Sequence, residues 1–437
     1  MLGYQKEQTS LSRKQKQSIS LLSIGNFLEY FDLMLYVHMA VLLNKIFFSP
    51  DNPYSVKVLS AFAYCSTFVF RPFGALLFGW IGDNIGRKPV IIITTIMMAC
   101  TCIGMAILPS YDEIGFAATI MVTLFRAIQG ISSSTEVVGA QLYITEMVKP
   151  PMQYPAVASV TIFSTLGTLA ALGVATIVTS GNLNWRYAFV FGALVAITGT
   201  MARTTLKETP DFIDAKRRIK SSLEKTGLDP KQIDNNDILK QKTNLKTFIS
   251  YFVIQCTGPV WLYFAYFYCG NILTEVFGYS PAEVIKHNFF ISIGDVIGGI
   301  LLTYLSYKIY PLKILRTTFY IFVIFLCFSP IIMQNLAPNY LILIQLYFLI
   351  FAPGYFPATA IFYKHFPVFK RFTHTSFIFA ISRALMYIIT SFGLAYLTEI
   401  FGYIGILMIM VPVTIFYYLG LRHFEKLEKQ VNNFNIA

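Results

Sequence analysis

A chain of 437 residues of which 55% are hydrophobic and only 13% charged carries about half the charge of an average soluble protein. With a mean hydropathy of +0.60, that balance excludes a soluble domain or a disordered chain and indicates a protein that crosses a membrane many times. The net charge of +12 is no sign of nucleic acid, because lysine and arginine held in the loops of a membrane protein set its topology.

Residues 1–19 are polar and lead to no cleavage site of small residues, so the first apolar segment is expected to stay as a membrane helix. At about 20 apolar residues per span, twelve spans are expected, at 20–47, 57–80, 89–109, 116–141, 154–179, 185–206, 247–270, 285–306, 312–333, 339–361, 373–396 and 400–421. Lysine and arginine crowd both ends and alternate loops, while the other loops hold only Lys57, Arg186 and Lys286. Both termini are therefore expected in the cytoplasm. The long polar stretch separates six spans from six. The expectation is an all-α membrane protein with an N-terminal six-helix bundle (1–206), a cytoplasmic linker (207–246) lying on the membrane surface, and a C-terminal six-helix bundle with a short basic tail (247–437). The six cysteines show no metal-ligand or redox spacing and read as packing residues.

An ionisable group at membrane depth is costly unless it faces water or a partner, so each one is a functional candidate. In span 1, GNFLEYFDLMLY places Gly25, Glu29, Asp32 and Tyr36 on one helix face. Two carboxylates three residues apart repel, so one of them readily keeps a proton. Asp32 and Glu29 are the proton-coupling candidates, a structural partnership with an arginine being the alternative. Tyr36 is assigned to substrate, and His38, off that face, to packing or the interface rather than to a proton relay. Arg71 and Arg126 lie deep in spans 2 and 4. Arginine forks hold carboxylates at two points, which makes these two the candidates for gripping an anionic or zwitterionic substrate, against internal salt bridges to Glu29, Asp32 or Glu136. Glu136, nearer the inner end of span 4, reads as a gate or salt-bridge carboxylate.

The turn after span 2, RPFGALLFGWIGDNIGRKP, combines small residues that permit close helix approach (Gly79, Gly82), a surface carboxylate (Asp83), a turn glycine (Gly86) and two cations (Arg87, Lys88). Physically this is a breakable latch. It resembles the loop 2/3 signature of the major facilitator superfamily, with Asn84 where a basic residue is usual. GNFLEYFDLMLY is similar to the helix 1 signature of the metabolite:H+ symporter family, with Tyr30 in place of tryptophan. The resemblance continues through PSYDEIG (109–115), RAIQG with Glu136 and Gly139 (126–139), YITEM (143–147), WRYAF (185–189) and KETPDF (207–212). It implies a gate built on Asp83, Gly86, Arg87 and Glu136, and a place in the bacterial cytoplasmic membrane.

The second half matches less well. SYKIYPLKILR stands where the family repeats its loop motif, and Lys364 or His365 where it has an acidic residue before FP. The second latch is expected to be missing or rebuilt. Asp295 in span 8 and Arg383 in span 11 are expected to pair with each other, substrate binding by Arg383 being the alternative. Ala352–Pro357 (APGYFP) should break span 10. The aromatic run WLYFAYFY (261–268) reads as belt or packing more readily than as a cage for a quaternary ammonium.

Together these features point to a proton-coupled symporter importing a small zwitterionic or carboxylate metabolite, of the kinds the family carries (proline/betaine or an organic acid), by alternating access. It would act as a monomer among membrane lipids, with no cofactor, metal or catalytic residue. The alternatives are a transport-inactive sensor on the same fold and a polytopic membrane enzyme, for which the five scattered histidines offer no catalytic cluster.

Overall fold

The structure is a computed structural model, and it describes residues 7–48, 67–180, 184–203, 243–334 and 338–432. The first half comprises α1 (Arg13–Phe47), α2 (Arg71–Asn84), α3 (Arg87–Ile107), α4 (Phe116–Met147), α5 (Gln153–Ser180) and α6 (Arg186–Arg203). In the second half α7 runs from Leu245 to Glu275 with a π-helical segment at Tyr263–Tyr268. Then come α8 (Pro281–Lys308), α9 (Pro311–Gln334), α10 in two pieces (Pro338–Phe351 and Thr359–Lys364), α11 (Val368–Phe401) and α12 (Gly405–Asn432). Seven stretches among the described residues are long and apolar enough to cross a membrane. In hydrocarbon a backbone must satisfy its own hydrogen bonds, which is why such sequences fold as helices.

Several helices outrun their expected spans: α1 begins at Arg13, α4 reaches Met147 and α12 reaches Asn432. Apolarity marks only the part in lipid, whereas the hydrogen-bond ladder continues through helix-forming polar residues such as RHFEKLEK. The outer part of span 2 (57–66) and linker residues 207–242 lie outside the described residues.

The molecule is polar within and apolar without. Trp80, Ile107 and Phe392 are exposed, while Glu29, Asp32, Arg71 and Arg126 are buried. α2 packs on α11 and α5 on α8, which joins the two halves. Within the first half, α2 meets α4 almost backbone to backbone: a Cβ on Gly74 would collide with the Ile131 carbonyl, and one on Gly130 with that of Thr67. Gly74→Val is therefore expected to lower the apparent melting temperature, at a cost of about 1–3 kcal/mol, measurable by thermal denaturation in detergent.

Polar termini are tied down locally. Gln8 donates its amide to the Pro150 carbonyl (2.9 Å) and accepts from the Lys149 amide (3.0 Å), and Gln15 reaches the Met147 carbonyl (3.0 Å). The PSYDEIG stretch is a Ser110/Glu113 capping box, and Arg186 of WRYAF reaches over to the Leu108 carbonyl at 2.8 Å. These two motifs build one corner of the bundle. The break in α10 is where APGYFP put it, and its freed carbonyls are met by side chains: Trp261 Nε1 donates to Pro353 O (2.7 Å) and the Tyr417 hydroxyl to Gly354 O (2.9 Å).

Candidate functional site

The α2–α3 turn closes one end of the molecule. Gly86 carries φ 145°, a backbone open to glycine, and so ends α2 and starts α3 within two residues. Asp83, buried beside it, accepts from the backbone N–H groups of Phe372 (3.1 Å) and Thr373 (2.8 Å) and from the Thr373 hydroxyl (2.7 Å), all on α11 of the other half. The close approach needs small residues. A Cβ on Gly79 would lie 2.7 Å from Thr373 Cα, a Cβ on Gly82 would fall inside the Phe372 ring, and Gly139 of α4 faces the far edge of that ring. Phe372 thus plugs the seam between α2 and α4. Around the plug Arg371 pairs with Glu146 (3.3 Å) and the Tyr363 hydroxyl donates to Gln141 (2.8 Å), again half to half. The latch partners of Asp83 thus include backbone N–H groups and a hydroxyl of the other half. The Arg87 side chain lies outside the described residues.

Packing follows the same division. At the Asp83 end one apolar cluster contains residues of both halves, among them Phe78, Tyr143, Tyr251, Phe362 and Phe372. The remaining large clusters are separate, one with its buried members from α1 to α6 and another with its buried members from α7 to α12. Toward the opposite end a cavity of about 550 Å³ opens between α1, α5, α7 and α8, lined by His38, Tyr266 and Asn288 among others.

At the depth of α1's midpoint lie two groups of buried charges. In the first, Asp32 accepts from the Gln129 amide, and Gln129 in turn accepts from Arg126 Nη1 at 2.6 Å. The Arg126 guanidinium stacks 4.2 Å from the centre of the Tyr36 ring. Asp32 and Arg126 are thus joined through an amide. In the second group Arg71, 2% exposed, is surrounded by Glu29, Tyr30, Arg383 and Tyr387. Its Nε and Nη2, which form one edge of the guanidinium, have no hydrogen-bond partner. Arg383 Nη1 donates to Gln255 (3.2 Å) and to the Phe379 carbonyl (3.1 Å).

Asp295 does not meet Arg383. Half-buried on α8, it lies beside Tyr266, whereas Arg383 is turned toward α7 and toward Arg71. Opposite charges on two helices cannot pair when the helices present them to different neighbours. Glu136 is buried on α4. The aromatic run is divided: Trp261 and Phe264 pack on Phe322 and Phe348, at 4.9 and 4.5 Å between ring centres. His38 lines the cavity beside Tyr266, 6.3 Å between ring centres.

The sequence of residues 22–391 matches the family model described as Major Facilitator Superfamily. The chain belongs to that superfamily. Curated relatives include a "Putative proline/betaine transporter" of Staphylococcus aureus (strain COL), 31% identical over 221 residues, which is 48% of this chain and 47% of that protein. Another is the "Proline/betaine transporter" of Escherichia coli (strain K12), 33% identical over 208 residues, 46% of this chain and 41% of the relative. The matched part therefore spans under half the length of these relatives. Among solved structures, a proton:xylose symporter, XylE, bound to 6-bromo-6-deoxy-D-glucose, superposes with a TM-score of 0.74 at 15% identity, covering 94% of this chain and 95% of that one. The human organic anion transporter MFSD10 (TETRAN) gives 0.67 at 16% identity, covering 94% and 100%. Fold and relatives are those of transporters, not enzymes.

As a major facilitator transporter the chain shows features that charge-spotting missed. Gln129 is uncharged, though its i+3 spacing from Arg126 puts both on one face and was a usable signal. The missing second-half loop motif is replaced from another element. Glu428, in the last turns of α12, accepts from the Tyr310 hydroxyl and lies 2.8 Å from His365 Nε2, and Glu425 faces Arg316 at 3.9 Å. The carboxylates that the 8–9 and 10–11 connections lack are thus supplied by the C-terminal helix.

Proposed function

We propose that this chain is a proton-coupled symporter importing a small zwitterionic or carboxylate-bearing metabolite, in the class of proline, betaine or an organic acid, by alternating access between two six-helix bundles (1–206 and 247–437) joined by a linker (207–246). The observation that carries the substrate class is the free guanidinium edge of Arg71, buried at membrane depth. Such a fork is completed by a two-point carboxylate. Arg383 and Arg126 add positive charge nearby, and Tyr36 and the surrounding phenols supply hydroxyls. Asp32 and Glu29 are the proton carriers in this reading. Asp83, Gly86, Arg87 and Glu136 belong to the gate, which is cytoplasmic if both termini are, in a bacterial inner membrane. The conformation described is then closed inward, with the 550 Å³ cavity on the outer side. The relatives' names support the substrate class, and the monomer is the functional unit of this reading.

Uptake of labelled proline, betaine and citrate into proteoliposomes, with and without an inward proton gradient, tests the reading directly. One of these classes is expected to accumulate only with the gradient. Arg71→Ala is expected to raise the half-saturating concentration at least about tenfold, from the loss of a charge-assisted pair, in protein that still elutes as a folded monomer. Unchanged transport in Arg71→Ala would remove Arg71 from the binding site.

A further inference from the structure

At the end of the molecule opposite Asp83, a second cavity of about 420 Å³ lies between α7, α11 and the turn at Gly402. Tyr263, Tyr268 and Tyr403 form its walls, and the exposed Glu275 and Glu399 stand with Asn271 at its mouth. Among the described residues lining it there is no lysine or arginine.

The backbone explains how two of the tyrosines reach the same space. Tyr263 and Tyr268 are five residues apart, which in an α-helix of 3.6 residues per turn would turn them about 140° from each other. Residues Tyr263–Tyr268 are instead π-helical, and the i→i+5 pattern of a π-helix brings residues five apart onto one face. Trp261 and Phe264 are committed to the core by their contacts with Phe322 and Phe348. Tyr263 and Tyr268 each keep one ring face stacked on a neighbour, Phe267 at 5.4 Å and Phe264 at 5.6 Å between ring centres, and both line the cavity.

Three tyrosine rings and two carboxylates around a small space favour a cation. Ring faces are electron-rich and attract positive charge without demanding hydrogen bonds, which suits a methylated ammonium that has no N–H to donate. The volume falls within the range of small-molecule sites. An anion would meet Glu275 and Glu399 without a compensating cation.

We propose that this cavity binds a small quaternary ammonium cation at the outer face, apart from the central Arg71 and Arg126 groups. The assignment does not depend on the symport reading, since it concerns a different set of residues and a binding measurement.

The test is calorimetric titration of the purified full chain in detergent with tetramethylammonium chloride, at constant ionic strength made up with sodium chloride. Saturable binding is expected, with none for tert-butanol, a neutral molecule of similar shape. Glu275→Gln/Glu399→Gln, at exposed positions where folding tolerates change, is expected to weaken binding at least tenfold. Tyr403→Ala should do likewise and Tyr403→Phe, which keeps the ring, should not. Arg71→Ala should bind as the parent does. The proposal is overturned by absence of saturable binding to the parent protein, by an equal response to tert-butanol, by unaltered affinity in the double glutamine variant, or by loss of binding in Arg71→Ala, which would place the cation in the central chamber.

Discussion

Replacing Asp32 with Asn is expected to abolish uphill accumulation of substrate, by about a hundredfold or more, while downhill exchange persists within a few-fold. Asp32 is 2% exposed in a membrane-buried helix, where an uncompensated carboxylate is costly, and it accepts a hydrogen bond from the neutral amide of Gln129. Its charge is therefore balanced either by a proton or by Arg126 acting across that amide. Alternation between the two is what a symport step requires: protonation releases Gln129, and with it the hydrogen bond that holds Arg126. Asparagine keeps the shape and mimics the protonated form, so the cycle can turn but gains nothing from a gradient. Proteoliposomes distinguish the two activities, with counterflow reporting exchange and an imposed proton gradient driving accumulation. If Asp32→Asn protein still accumulates substrate against its gradient, the proton is carried elsewhere, and Glu29 becomes the group to replace.

The second large effect is expected at the gate. Asp83→Ala removes the acceptor of three hydrogen bonds. Charge-assisted bonds contribute about 1.5–3 kcal/mol each, and a net loss of about 3 kcal/mol shifts a closed-to-open ratio by about a hundredfold. The seam should then part around Phe372. Ser376, fully buried one turn further along α11, provides a reporter. Ser376→Cys alone should react slowly with a maleimide, and Ser376→Cys combined with Asp83→Ala more than tenfold faster, with uptake reduced by at least a similar factor. Equal labelling rates in the two proteins would mean that Phe372 and the apolar seam hold the face closed without the carboxylate.

The fold was readable because lipid imposes a coarse rule: apolar runs of spanning length become helices, and the only room for Asp32, Glu29, Arg71 and Arg126 is inside. The same rule made the α10 break at APGYFP visible. Neighbour relations were less readable. Nothing in the spacing of α8 and α11 reveals that Arg383 turns to Gln255 on α7 and leaves Asp295 beside Tyr266. Charge complementarity lists eligible partners but not adjacency. Asp83 reads in the sequence as a latch carboxylate, and its partners in the structure include backbone N–H groups of α11, which no residue type advertises. Glu428 escaped notice for a related reason. It sits in a segment that reads as a polar tail, and only the continued winding of α12 brings it to Tyr310 and His365.

The segment before α1 offers a practical handle. Gln8 and Gln15 are fastened to the α4–α5 connection, and the end of α12 is fastened to Tyr310 and His365, so each lever arm travels with its own half. Spin labels at Ser10 and Lys429 would then act as the two hands of a protractor, and the distance distribution between them would read the rocking angle of the carrier without touching the pathway.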